Sequence, residues 1–177
     1  LFRRHPPAGI VKFDTVRPSQ ERDGFVSASF GTVNTIDAKA AFGGALTETL
    51  SARVSLLYQS QSDWIDNGFT GENDALGGHN TGAFRVQFLW QASERFSALL
   101  NLHGWELDGT ARVFRANILK PGSNDLASGF SQDKVYQDGL NDQEISAQGG
   151  AFTLNYEFDF GTLTAITCYE TLDMFSR

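Results

Sequence analysis

The chain lacks several features that would place it in a common class of protein. Its 177 residues contain a single cysteine, Cys168, which excludes an intrachain disulfide and a cysteine-based zinc cluster. It has no run of about 18 apolar residues, so the sequence predicts no transmembrane helix. Its net charge of -7 argues against a nucleic-acid partner, because such partners usually require a clustered basic face. The 177 residues, 41% of them hydrophobic and 20% charged, are enough to form one domain with an ordinary core.

A signal peptide is also missing from the sequence. Residues 1–7, Leu-Phe-Arg-Arg-His-Pro-Pro, contain no apolar core of the kind that such a peptide needs. The chain begins without a methionine. We therefore expect either a cytoplasmic protein or, as the start in mid-pattern favours, an internal piece of a longer chain.

Apolar and polar side chains alternate with a period of two along most of the chain. Because successive side chains of a strand point to opposite faces, each such run predicts a strand with one apolar and one mainly polar face. The pattern predicts an all-β antiparallel meander of about seven strands, and no stretch sustains a helical period. The apolar sets are Val26/Ala28/Phe30, Ile36/Ala38/Ala40/Phe42, Val54/Leu56/Tyr58, Phe84/Val86/Phe88/Trp90, Phe96/Ala98/Leu100/Leu102, Phe152/Leu154/Tyr156/Phe158 and Leu163/Ala165/Thr167/Tyr169.

Short and long connections alternate between these runs. Residues 46–50, 92–95 and 158–161 are short turns, whereas residues 63–80 and 108–142 are long and polar. Successive connections of a meander lie at opposite ends, so we expect all short turns at one end and all long loops at the other. Outer-membrane barrels sort their connections in this way, with short periplasmic turns and long extracellular loops.

Strand length and aromatic placement also favour a membrane barrel. Residues 51–61 and 81–92 predict strands of about ten or more residues, which suit a tilted membrane strand better than the usual soluble strand of about five to six. Aromatic residues near strand ends are typical of interfacial girdles. The aromatics that we predict there are Tyr58, Trp64, Trp90, Phe96, Tyr156, Phe158 and Tyr169.

A barrel of this kind turns its apolar face to lipid and its polar face to the lumen. The predicted lumen-facing residues are Arg53, Gln59, Arg85, Gln87, Asn101, His103, Asn155 and Glu157. The simplest interpretation is that these residues line a hydrated lumen and contact another part of the protein. The alternative is that Arg53 and Arg85 attract an anionic solute.

The sequence predicts neither a catalytic site nor a metal site, and therefore neither an enzyme nor a cofactor. His5, His79 and His103 have no metal-ligand spacing. A calcium-loop spacing is only partly followed, because Ile65 occupies a ligand position; the loop residues concerned are Asp63, Asn67, Gly68 and Asp74. Cys168 has no identifiable base nearby in sequence and is predicted to be an inert strand residue.

Five segments follow one another in an order that resembles a known family. They are residues 8–18, residues 24–31 (Gly-Phe-Val-Ser-Ala-Ser-Phe-Gly), residues 41–46 (Ala-Phe-Gly-Gly-Ala-Leu), residues 50–55 and residues 163–170. Together they resemble the junction between plug and barrel, and a later barrel strand, of TonB-dependent outer-membrane receptors. The start departs from the family, which usually has a Gly-Arg-Asn-Thr-like segment: in Arg3-Arg4-His5-Pro6 only Arg4 matches.

The resemblance implies energy-coupled uptake through the outer membrane of a Gram-negative bacterium. Such receptors bind a scarce solute of the ferric siderophore, cobalamin or carbohydrate class and pass it inward when the TonB complex pulls on the plug. Residues 1–18, with a short strand at residues 10–15, would be the C-terminal end of the plug, and residues 19–177 the N-terminal part of the barrel. The partners implied are the TonB complex, outer-membrane lipid and an unidentified solute.

A seven-stranded portion is not expected to close or to transport alone, because large plugged barrels have 22 strands. Two other interpretations of the pattern stay open. One is a complete eight-stranded outer-membrane barrel, and the other is a soluble β-sandwich that binds carbohydrate.

Overall fold

The computed structural model describes residues 14–115, 118–139 and 141–177, and these ranges contain strands and no helix. The strands are β1 Asp23–Phe30, β2 Ile36–Ala45, β3 Leu50–Gln61, β4 Ile65–Asn67, β5 Glu72–Leu76, β6 His79–Ser93, β7 Phe96–Thr110, β8 Lys134–Val135, β9 Asp142–Phe158 and β10 Gly161–Ser176. No helix long and apolar enough to cross a membrane is found in the described residues.

Seven strands form one antiparallel sheet in the order β1-β2-β3-β6-β7-β9-β10. The predicted meander of about seven strands is therefore confirmed. The sheet is open, with β1 and β10 at opposite edges, so the described residues do not form the closed eight-stranded barrel that the pattern left open. The short strand predicted at residues 10–15 lies mostly outside the described residues, and Asp14 and Thr15 are not in a strand.

The main strands are longer than the sequence predicted. β6 and β7 have 15 residues each, β9 has 17 and β10 has 16. Strands of this length exceed the about ten residues that a tilted membrane strand needs. Their far ends therefore extend beyond the apolar stretch of each strand.

The connections sort by end with one exception. Residues 46–49, 94–95 and 159–160 join strands at one end of the sheet, which we call the turn end. Residues 62–78 and 111–141 lie at the other, the loop end, as predicted. The prediction that every connection at the loop end is long is wrong for the five residues that join β1 to β2. There the Gly31 N–H donates to the Thr35 carbonyl at 2.9 Å, which closes a compact loop.

The two long loops are joined through a second, small sheet in the order β5-β4-β8. β4 in the first loop pairs in parallel with β8 in the second, with Asn67 opposite Val135. Ile65 on β4 and Val135 on β8 are both buried. The sequence did not predict these strands, because they are short and each partner lies in a different loop.

The burial of the two faces of the seven-stranded sheet is the reverse of that in a soluble protein. Apolar side chains such as Phe42, Leu56 and Phe84 are 59%, 54% and 50% exposed, whereas Arg53 and Gln87 are 7% and 2% exposed. A sandwich would bury the apolar face under a second sheet. The only other sheet of the described residues is the small one in the loops, so the arrangement does not favour a β-sandwich.

Candidate functional site

The eight polar residues singled out in the sequence share one face of the sheet. Arg53 lies opposite Gln87, and Gln87 lies opposite Asn101. Arg85 lies opposite His103 in the adjacent row. Gln59 is six residues from Arg53 on β3, and side chains at even spacing point to the same side. On β9, Asn155 lies opposite Ser97, which is four residues from Asn101 on β7, and Glu157 is two residues further along. We call this side the polar face and the other the apolar face.

Arg53 is held by an ion pair that reaches across a whole strand. Its register partner on β2 is Gly43, whose own partner on β1 is Asp23. The Arg53 Nη1 lies 2.5 Å from the Asp23 Oδ1. A Cβ at Gly43 would come within 3.3 Å of the same Nη1, so glycine leaves the space that the side chain crosses. Arg53 is thus buried and already paired.

A second side-chain pair crosses β9 in the same way. His103 on β7 lies opposite Gly149, and Gly149 lies opposite Glu170 on β10. The His103 Nε2 is 3.0 Å from the Glu170 Oε2. A Cβ at Gly149 would overlap with that oxygen, so this contact also depends on glycine. The sequence did not predict Asp23 or Glu170 as site residues, because only the strand register shows that they lie beside Arg53 and His103.

Other polar-face residues bond within the face or to the segment before β1. The Gln59 Nε2 donates to the Asp37 Oδ2 at 2.6 Å. The Thr164 hydroxyl donates to the Asn155 Oδ1 at 2.8 Å. The Gln87 Nε2 donates to the Thr15 hydroxyl oxygen at 3.4 Å, which places the chain before β1 against this face.

A cavity lies between this segment and the polar face. Its volume is about 460 Å³, and its lining includes Thr15, Lys39, Arg53, Arg85, Gln87 and His103. Three polar side-chain atoms on this part of the face are buried without a hydrogen-bond partner among the described residues: Arg85 Nε, Asn101 Oδ1 and His103 Nδ1. Buried polar atoms nearly always have a partner, and the described residues supply none to these three.

The structure therefore divides the eight predicted residues into two groups. Arg53, Arg85, Gln87, Asn101 and His103 lie in two adjacent rows of the sheet. The remaining three are distant from this cluster: Gln59 lies toward the loop end, and Asn155 and Glu157 lie toward the turn end.

Two of the loop residues that partly follow a calcium-loop spacing, Asn67 and Asp63, bond to backbone groups. The Asn67 Oδ1 accepts from the Phe69 N–H at 3.0 Å, and its Nδ2 donates to the Gln137 carbonyl at 2.8 Å. The Asp63 Oδ1 accepts from the Gly78 N–H at 2.7 Å. No cluster of metal-ligating side chains is found in the part of the chain that the structure describes. These residues join the loops to each other and to the sheet.

An aromatic row lies at the turn end of the apolar face. The Trp90 and Phe96 rings are 5.9 Å apart, and the Tyr156 and Phe158 rings are 4.6 Å apart. Phe96 also contacts Tyr156 at 6.5 Å, which links the two pairs. Tyr169 lies opposite Gly150, in the middle of its strand, so the prediction that it sits near a strand end is wrong.

No protein-family model matches the chain. Among solved structures, the chain is similar to the crystal structure of the ferric yersiniabactin uptake receptor FyuA from Yersinia pestis, with a TM-score of 0.72 and 15% sequence identity. The match covers 92% of this chain and 25% of that receptor. The chain thus spans about a quarter of the receptor's length, and at this identity the two share a fold.

Proposed function

We propose that this chain is part of a TonB-dependent receptor in the outer membrane of a Gram-negative bacterium, and that it serves transport and not catalysis. The observation that carries the proposal is the reversed burial of the sheet: large apolar side chains such as Leu56 and Phe84 are exposed while Arg53 and Gln87 are buried. Such a face is stable when lipid covers it. A face of this extent in water would promote aggregation.

The position of the exposed apolar residues on each strand supports a tilted membrane sheet. On the apolar face of β1 they run from Val26 to Phe30, and the register carries Val26 across the sheet to Gln148 on β9. On β9 they run from Phe152 to Phe158, so the whole apolar stretch has moved toward the turn end.

The size of this shift determines how far the strands are tilted in the proposed barrel. The centre of the apolar stretch moves by about seven to nine residues over the five or six strand spacings from β1 to β9 and β10. At about 3.3 Å per residue and about 4.8 Å between strands, a band of constant depth then requires strands tilted by roughly 40–50°. Outer-membrane strands are tilted by about 35–45°, and nothing in a soluble sheet requires such a shift.

The connections assign the two sides of the proposed barrel. The turn end faces the periplasm, as short turns do in outer-membrane barrels. The loop end faces the exterior, where the joined loops at residues 62–78 and 111–141 are the first part of this chain that a solute meets. Residues 1–18 belong to the plug and residues 19–177 to the barrel wall, with the polar face toward the plug.

The solute is a scarce compound that the cell imports with energy from the TonB complex. A ferric siderophore is the first candidate, because the structurally similar receptor takes up ferric yersiniabactin. Cobalamin and carbohydrates are the other candidates. The transporting unit is the whole receptor, since the seven strands described here do not close a barrel.

Cell fractionation and uptake assays test this proposal. An epitope-tagged protein of natural length should be recovered with the outer membrane. Deletion of the gene should abolish uptake of one radiolabelled solute class, and a protonophore should reduce wild-type uptake to the same level. Restoration of uptake by a plasmid copy is the control. Recovery of the protein in the soluble fraction, or unchanged uptake of all three classes in the deletion strain, would contradict the proposal.

A further inference from the structure

We propose that Arg85 and His103 form a binding site for a carboxylate group of the solute, and that Glu170 positions His103 by reaching across Gly149. This inference rests on the proposed function and assigns a ligand chemistry to its polar face. It also separates Arg85 from Arg53, which the sequence treated as equivalent.

Arg85 and His103 are neighbours that share one cavity. They are direct cross-strand partners on β6 and β7, a relation that brings Cβ atoms to about 4.5–5.5 Å. Both side chains line the cavity of about 460 Å³, together with Thr15 and Trp105. Arg85 Nε and His103 Nδ1 are each buried without a partner among the described residues. A ligand oxygen in the cavity would accept from Arg85 Nε, and from His103 Nδ1 when that nitrogen carries a proton.

Among the described basic side chains that line the cavity, Arg85 is the one without an acidic partner. Arg53 is bound to Asp23, and Lys39 lies 3.0 Å from Asp37. Along its own row, Arg85 has Ser55 opposite on β3 and His103 on β7, and neither is an acid. A guanidinium without an acidic partner binds a carboxylate through two parallel N–H donors.

Glu170 gives His103 the orientation that the site needs. The Nε2 of His103 lies within hydrogen-bond distance of both carboxylate oxygens of Glu170, at 3.0 and 3.2 Å. When both ring nitrogens are protonated, Nε2 donates to Glu170 and Nδ1 donates to the ligand. Glu170 is therefore a positioning residue. A Cβ at Gly149 would displace its carboxylate and would also meet the Tyr169 carbonyl oxygen at 2.6 Å.

The test measures citrate binding to the protein of natural length in detergent. Trp105 lines the cavity, so citrate should change tryptophan fluorescence in a saturable way, and Trp105→Phe should remove the change. Arg85→Gln should weaken binding at least tenfold. Arg95→Gln is the matched control, because Arg95 lies at the turn end and pairs with Asp159; it should bind citrate as the wild type does.

Gly149→Ala tests the positioning role separately. We expect it to weaken citrate binding several-fold, whereas Gly82→Ala should not, because a Cβ at Gly82 meets nothing within 4 Å. Equal citrate affinity in the wild type and Arg85→Gln, or no saturable change in the wild type, would overturn the proposed site. Unchanged binding in Gly149→Ala would overturn the role of Glu170.

A measurement on the wild type removes any dependence on the folding of variants. Citrate should shift the imidazole nitrogen resonances of His103, while those of the other two histidines of this chain, His5 and His79, stay in place. An unshifted His103 would overturn the inference. Outer-membrane location and solute uptake do not depend on this result, so the inference can fail while the proposed function stands. If the protein were recovered in the soluble fraction and still bound citrate, the carboxylate site would stand and the proposed function would fail.

Discussion

A lysine on the apolar face should destabilise the protein far more than a lysine one residue away. Leu154 on β9 faces Ala98 and Ala165 on the apolar face, near the middle of the apolar stretch. In a bilayer, a lysine at the midplane of a barrel's outer face costs about 2–4 kcal/mol, which is roughly a 30- to 1,000-fold change in the unfolding equilibrium. If water covered this face, the same substitution would cost about 1 kcal/mol or less, because the aliphatic stem of lysine would pack on the neighbours that leucine contacts.

Two further positions on the same strand provide matched controls. Thr153 lies on the polar face, between Leu99 and Ile166, and Thr153→Lys should cost less than about 1 kcal/mol because the lysine reaches water in the lumen. Ser146 lies on the apolar-face side beyond the apolar stretch, between Glu106 and Asp173. Ser146→Lys should be neutral or slightly stabilising, because it meets two acids near the interface.

The assay is guanidinium unfolding of the protein of natural length from phosphatidylcholine vesicles. Tryptophan fluorescence reports unfolding, and the mobility of unheated samples in gels reports barrel formation. The account requires the order Leu154→Lys, then Thr153→Lys, then Ser146→Lys, from most to least destabilised. Equal effects at Leu154 and Thr153, or a larger effect at Thr153, would refute the assignment of the faces.

Three further substitutions test the contacts that hold the sheet and loops. Gly43→Ala should destabilise the protein by about 1 kcal/mol, because its Cβ would press on the Ala52 carbonyl and the ion pair above it; Gly82→Ala is the control, and equal unfolding curves would contradict the crossing ion pair. Asn67→Ala removes two hydrogen bonds of a buried side chain that joins the loops, at a local cost of about 1–3 kcal/mol, so limited proteolysis should cut both long loops faster. Faster cleavage of only one loop would contradict their coupling. Arg95→Gln removes an exposed ion pair and should lower the free energy of unfolding by less than about 1 kcal/mol. A larger loss, measured by unfolding from vesicles, would contradict the small contribution expected of this pair.

The strands could be predicted because a period of two is a local property. The predicted strand at residues 81–92 and the observed β6, His79–Ser93, differ by one or two residues at each end. The predicted one at residues 51–61 differs from β3, Leu50–Gln61, by a single residue. Alternation also sorted the side chains correctly between two faces, since neighbouring residues of a strand cannot share one. Which of the two faces is covered does not depend on the local sequence. The burial of the side chains in the folded sheet was needed to decide it.

The features that the sequence did not predict depend on contacts between distant segments. β4 and β8 are short and pair across two different loops, so neither has a local signal. Glu170 reaches His103 only because Gly149 lies between them in the register. The sequence predicts Tyr169 near a strand end because the apolar pattern stops there. In the structure, β10 extends further, to Ser176.

The apolar face should contact lipid and the polar face should not. Single cysteines at positions 54, 55, 56 and 57 of β3, in a Cys168→Ser background, test this directly in membranes. Spin labels at Val54 and Leu56 should collide with oxygen dissolved in the bilayer, whereas labels at Ser55 and Leu57 should be shielded from it. An alternation with a period of two in this order is the predicted result. Equal exposure of all four labels to a water-soluble nickel chelate, or the reverse alternation, would contradict the account.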